Sequence, residues 1–218
     1  MPRKGEIIWS TILIIGLSLL ALIPFTFYLI NSLGPSTINE ISLAKIIGEF
    51  KDLTTNQSIK LQIKVGPNGG CISSNITEII NCNSHIPYKP FVEEESNLHF
   101  NESIISIFPI TIGKALVLNH VTTALMGLSV LAVLIDILVL HGGISFAIVY
   151  FTIFFMWITF IFESIYVSLL HKRLDKLNLE GWEFKMGEGY WFILAATVIP
   201  LGELVSICTC GGNFSVET

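Results

Sequence analysis

The sequence predicts an all-α membrane protein, a four-transmembrane-helix bundle that carries a small, mainly β, disulfide-containing extracellular domain. Three observations predict it. The 218 residues are 52% hydrophobic and only 13% charged, with a mean hydropathy of +0.70, which is not the composition of a soluble globular chain. Apolar runs long enough to cross a bilayer stand at 7–30, 110–140, 144–170 and 189–208. Between the first two lies a polar stretch that holds a cysteine pair and three glycosylation sequons. The formal net charge of −5 and the lack of a Lys/Arg run exclude the basic stripe that a nucleic-acid partner requires.

The first six residues are polar, with Arg3 and Lys4, and lead into Ile7–Ile30, a run without a charge. At 1.5 Å per residue this exceeds what the hydrocarbon core demands. It reads as an uncleaved signal anchor with Pro24 as a tolerated kink. A cleavable signal peptide is the rival reading, but its apolar region is shorter and ends in a small-x-small site, which does not follow here.

From 31 to 109 the composition turns to Asn, Ser, Thr, Glu and Gly, and the expectation is an extracellular domain. Ile59, Leu61, Ile63 and Val65 alternate with Lys60, Gln62 and Lys64, a period of two that predicts a half-buried strand. That strand runs into Gly66-Pro67-Asn68-Gly69-Gly70, a tight-turn composition. Ile41–Phe50 is apolar in a less regular pattern and fits either a strand or a short helix. Cys71 and Cys82 follow the turn with ten residues between them; beside the sequons they read as a disulfide, with two buried thiols as the other reading. Three sequons fall in this stretch, Asn56-Gln57-Ser58, Asn75-Ile76-Thr77 and Asn101-Glu102-Ser103, so Asn56, Asn75 and Asn101 are its candidate glycosylation sites. Glu93-Glu94-Glu95 reads as a solvated loop.

The second run, 110–140, carries Lys114, Asn119 and His120 near one end and Asp136 near the other, around an uncharged middle. The turn His141-Gly142-Gly143 joins it to 144–170, rich in Phe and interrupted by Glu163, so the two form an antiparallel hairpin. Residues 171–188 read as a polar extracellular loop, and 189–208 as the last span, with Trp191 at an interface position, Pro200 and Glu203, before a short tail, 209–218. Both termini then lie in the cytosol. The basic residues Lys172, Arg173, Lys176 and Lys185 fall outside under this orientation, against the positive-inside rule, while Asp175, Glu180, Glu183 and Glu188 stand near enough to pair with them.

An ionisable group inside a bilayer is costly, which singles out Asp136, Glu163 and Glu203. Asp136 and Glu203 lie toward the cytosolic leaflet and form a polar cluster that holds the bundle or receives a partner helix; in the plainer reading Asp136 and Glu163 reach the headgroups and Glu203 alone is buried. The apolar middles of the spans speak against a proton or ion pathway. Cys208 and Cys210 sit at the inner boundary, where thiols are either acylated or left unmodified. Two thiols at that spacing do not make a metal site. Thr123, Ala124, Gly127 and Ala132 give the second span a small-residue face for close helix packing.

The order of these features resembles the fungal PalI family of pH-response regulators and related claudin-like cortical four-span proteins. The likeness rests on a signal-anchor span, Gly66-x-x-Gly69-x-Cys71, Cys82, and then Tyr88. It continues through Lys114-Ala115-Leu116-Val117-Leu118, Ile135-Asp136 and Gly189-Tyr190-Trp191-Phe192-Ile193-Leu194-Ala195-Ala196. Asn68 and Gly70 hold places that are usually aromatic in that family. The resemblance implies a non-enzymatic accessory or scaffold protein of the plasma membrane that assists a sensor in ambient alkaline pH signalling. The alternatives are a structural protein of cortical membrane patches and cell-wall integrity, and a small transporter. No cofactor is implied. The partners implied are other integral membrane proteins, the lipid bilayer and, as a further option, a second copy of the chain. Histidines such as His85, His99 and His120 could titrate near neutral pH, although surface histidines without such a role are commoner. No nucleophile elbow, HExxH or phosphate-cradling loop points to an enzyme.

Overall fold

The structure of the chain is a computed structural model. It describes residues 21–51, 58–74, 81–90, 102–135, 144–178 and 181–211, with side chains only to 200 in the last helix. These residues form a mixed helix-and-sheet protein rather than an all-α one. In chain order the elements are α1 (Ala21–Leu33), β1 (Ala44–Lys51), β2 (Ser58–Gly66), β3 (Gly69–Ser74) and β4 (Asn81–Asn83). Two four-residue helices follow, α2 (Glu102–Ile105) and α3 (Ile110–Gly113), then a 3₁₀ turn (Lys114–Leu116) and α4 (Val117–Ile135). The chain continues through α5 (Ile144–Leu177), β5 (Trp182–Met186) and α6 (Glu188–Gly211).

Two helical stretches are long and apolar enough to cross a membrane, Ile110–Ile135 and Ala147–Leu177. Their outward faces carry Leu128, Leu131, Phe151, Phe154 and Ile161, each at least half exposed. Large apolar residues so placed are at home against lipid tails rather than water.

The sheet is antiparallel throughout, in the order β4-β3-β2-β1-β5. The alternation of β2 has the expected consequence: Leu61, Ile63 and Val65 are buried. The irregular Ile41–Phe50 stretch resolves as strand β1, because Ile46 and Ala44 face the same core. Gly66-Pro67-Asn68-Gly69 turns β2 back onto β3 with Gly69 at φ 112°, a backbone region that glycine enters freely. Asn68 fastens this turn to the end of α1: its N–H donates to Gly34 O (3.3 Å) and its Nδ2 to Ser36 Oγ (2.6 Å).

One apolar cluster joins sheet and helices. Leu43, Ile46, Leu61, Ile63, Val65 and Ile72 pack with Ile107, Phe108 and Leu116, and with Tyr166, Val167, Leu170 and Leu174 of α5. Burying each of the aliphatic side chains contributes about 1.5–3 kcal/mol over leaving it in water.

The expected extracellular loop 171–188 is corrected. Residues to Leu177 continue α5, because Leu170 and Leu174 keep its buried face going while Lys172, Arg173 and Lys176 face out. Trp182–Met186 is a strand that pairs with β1 from Ala44↔Met186 to Gly48↔Trp182. Trp182 and Phe184 turn toward the core, and Glu183 and Lys185 away. The second span is likewise not one uninterrupted helix: α3 and the 3₁₀ turn precede α4, and Pro109, which has no N–H to donate, stands at the N-cap of α3.

Candidate functional site

The last turn of α1, the loop to Ser42, the start of α4, the outer part of α5 and the Gly187–Gly189 joint before α6 meet beneath the sheet. Ser42 O accepts from Gly189 N–H and Leu43 O from Gly187 N–H, both at 2.9 Å. A Cβ at Gly187 would lie 1.9 Å from Ser42 O, and one at Gly189 2.3 Å from Asn31 Oδ1, so only glycines let these backbones approach.

At this junction sits Glu163, 1% exposed. Its Oε1 accepts a hydrogen bond from Asn119 Nδ2 at 2.7 Å and a long one from Asn31 Nδ2 at 3.5 Å. Three helices thus place one carboxylate between two carboxamides. Glu163 Oε2, Asn31 Oδ1, Asn119 Oδ1 and Ser42 Oγ are buried without a hydrogen-bond partner.

Further polar groups line the bundle interior. Thr122 and Thr159 hydroxyls are 2.7 Å apart, across α4 and α5. Tyr28 Oη donates to Met156 O (3.1 Å) and lies 3.4 Å from Thr197 Oγ1, which donates to Ile193 O. Thr123 Oγ1 donates to Asn119 O at 2.8 Å, within its own helix.

The reading in which Glu163 reaches the headgroups and Glu203 alone is buried is overturned for Glu163. The signal was in the sequence: Thr152, Met156, Thr159, Glu163, Tyr166 and Leu170 recur at three- and four-residue steps, so they share one face of α5, and all are buried. Asp136, the expected companion of Glu203, lies outside the described residues. Glu203 falls on α6, beyond the residues whose side chains are described, as do Cys208 and Cys210. The span interiors are also less apolar than they read, since Tyr28, Thr122, Thr159 and Thr197 face inward.

Cys71 and Cys82 form a disulfide and stand directly opposite each other on β3 and β4. Asn56, Asn75 and Asn101 lie outside the described residues.

Gly70 lies directly beneath an aromatic ring. A Cβ there would lie 2.6 Å from the ring of Tyr88, which is 3% exposed and meets Phe108 edge-on at 5.6 Å between centroids. Burial pushes the Tyr88 phenol above its ordinary value.

Charges flank the junction. Lys45 of β1 pairs with Glu188 at the start of α6. Partial burial acts to raise the Glu188 carboxyl, but hydrogen bonds from Lys45 and its own backbone N–H, with the charges of Lys45 and Lys64, hold it below the usual range. Burial and the neighbouring Lys45 lower Lys64, which donates to Asn39 O at 2.8 Å. On the outer part of α5 and on β5, His171 lies 3.4 Å from Asp175 and Lys185 3.1 Å from Glu183, the local pairing that the loop's acids suggested.

No protein-family model matches the chain, and no curated protein matches it.

Proposed function

We propose that this chain is a four-span plasma-membrane protein with spans near 7–30, 110–140, 144–170 and 189–208, its sheet outside and both termini in the cytosol. It acts without catalysis, as an accessory subunit or scaffold in the manner of the PalI family, holding a second integral membrane protein, such as a sensor of ambient pH, by lateral contact.

The observation that carries this reading is the continuity of the apolar core from the disulfide-pinned sheet into α5. A rigid ectodomain fused to apolar helices whose outer faces are large and hydrophobic suits a protein that presents a fixed surface to a neighbour. Glycans at Asn56, Asn75 and Asn101 and acyl chains at Cys208 and Cys210 belong to the same reading, the first outside and the second at the inner leaflet.

The experiment is the alkaline-pH response of cells lacking the protein, read as proteolytic activation of the pathway's transcription factor, with imaging of cortical membrane patches alongside. Loss of activation supports the accessory role. Intact activation with dispersed patches replaces it with the cortical-structural role.

A second reading, a small transporter, is favoured by the row of inward hydroxyls and Glu163 within the bundle. It requires solute flux through the purified protein in vesicles, abolished by substitution of Glu163.

A further inference from the structure

The groups around Glu163 have an unequal count of donors and acceptors. Both asparagine amides turn their nitrogens onto one carboxylate oxygen, Glu163 Oε1. That leaves Glu163 Oε2 and the two carboxamide oxygens, Asn31 Oδ1 and Asn119 Oδ1, buried with no donor, and Ser42 Oγ without a partner beside the same joint. Among the described residues no Lys, Arg or His side chain contacts Glu163.

Each unmet acceptor in so dry a place costs about 1–3 kcal/mol, and an ionised carboxylate without a counter-charge costs more. A bound water would meet hydrogen bonds but bring no charge. A proton on Oε2 would neutralise the carboxylate and supply a single donor. One small cation would answer several oxygens and the charge together.

We propose that Glu163 Oε2, Asn31 Oδ1 and Asn119 Oδ1, with Ser42 Oγ at the edge, form a binding site for a single monovalent metal cation of the size of sodium. The donor set is all oxygen, as hard cations require, and its single negative charge suits a monovalent ion. Calcium takes 6–8 oxygen ligands and is bound more tightly as carboxylates are added. The ligands come from α1, the loop to β1, α4 and α5, so occupation ties the ectodomain loop to three helices. The site requires only this fold and stands apart from the accessory role.

The test uses the full chain purified in detergent. Thermal unfolding is compared in sodium, potassium and choline chloride at equal ionic strength, and binding of radioactive sodium to the wild-type protein is measured directly. Expected are one displaceable sodium per chain and a midpoint in sodium higher than in choline, by roughly 5–10 °C at a hundredfold excess over Kd. Glu163→Gln, which keeps the shape and removes the charge, is expected to abolish both effects. Absence of sodium binding by the wild-type protein overturns the proposal whether or not the variant folds. A midpoint that ignores sodium but rises on acidification in choline also overturns it, and makes a proton the occupant. Sodium binding retained in Glu163→Gln overturns the assigned ligands.

Discussion

Gly187→Ala is expected to separate the sheet from the bundle by one backbone collision. The added Cβ would stand 1.9 Å from Ser42 O and 2.6 Å from Ser42 C, atoms of the main chain that cannot swing aside as a side-chain tip can. To make room, the loop must withdraw, and the bonds Gly187 N–H to Leu43 O and Gly189 N–H to Ser42 O are lost together. At about 1–2 kcal/mol for each bond broken in a buried place, the cost is about 2–4 kcal/mol. For a chain of this size that lowers the unfolding midpoint by roughly 5–15 °C. Gly181→Ala is the control: its φ of 83° strains an alanine, but the Cβ would meet Glu49 O only at an ordinary 3.4 Å, so only the backbone strain of about 1 kcal/mol is added. The assay is thermal unfolding of the detergent-purified chain followed by tryptophan fluorescence, in which Trp182 of β5 is one reporter. Equal midpoints for the two variants would refute the claim that the Ser42–Gly187 contact locks the domains together.

Three further outcomes are expected. Cys71→Ser removes the bridge to Cys82, costs about 2–3 kcal/mol through the unfolded chain, and is expected to hold the protein in the secretory pathway, as measured by surface labelling. The Glu188 carboxyl is depressed in the folded state, so the stability contributed by its pairing with Lys45 is present above the unfolded pKa and lost as pH falls through the folded one; because Glu188 is half exposed, the amount is about 0.5 kcal/mol or less, and Glu188→Gln should flatten that part of an acid-side stability profile. Thr122→Val and Thr159→Val, combined in a double-mutant cycle of detergent unfolding, should show a coupling of about 0.6–1.7 kcal/mol from their 2.7 Å contact, whereas additive effects would deny the bond any net worth.

Local rules made some parts of the molecule readable. The alternation of Leu61, Ile63 and Val65, the Gly-Pro-Asn-Gly turn and the cysteine pair are features of neighbouring residues, and the strand, hairpin and bridge follow from them. Strand β5 was hidden for the opposite reason. Five residues with two charges do not stand out, and their hydrogen bonds go to β1, far away in the chain. Glu163 could have been recognised as buried from the stepwise companions on α5, but the role of Asn31 and Asn119 could not. Asparagine near the end of an apolar run reads as an interfacial residue, and only the crossing of three helices shows both amides turned onto one carboxylate. The seating of the Tyr88 ring on Gly70 was likewise hidden, because it depends on how the chain returns past β4.

Strand β5 has a consequence for biogenesis. β1 to β4 are all translated before α4, α5 and β5, so the emerging sheet has its β1 edge uncapped while the later helices are still being made. On the proposed topology the sheet is completed only when α5 has been threaded into the bilayer and the chain after it has come back to the same side. An α5 inserted with the wrong polarity would deliver that last strand to the wrong compartment. On that topology completion of the sheet is a check on correct insertion of the helices, and a chain that carried β1 to β4 without β5 would leave the β1 edge open.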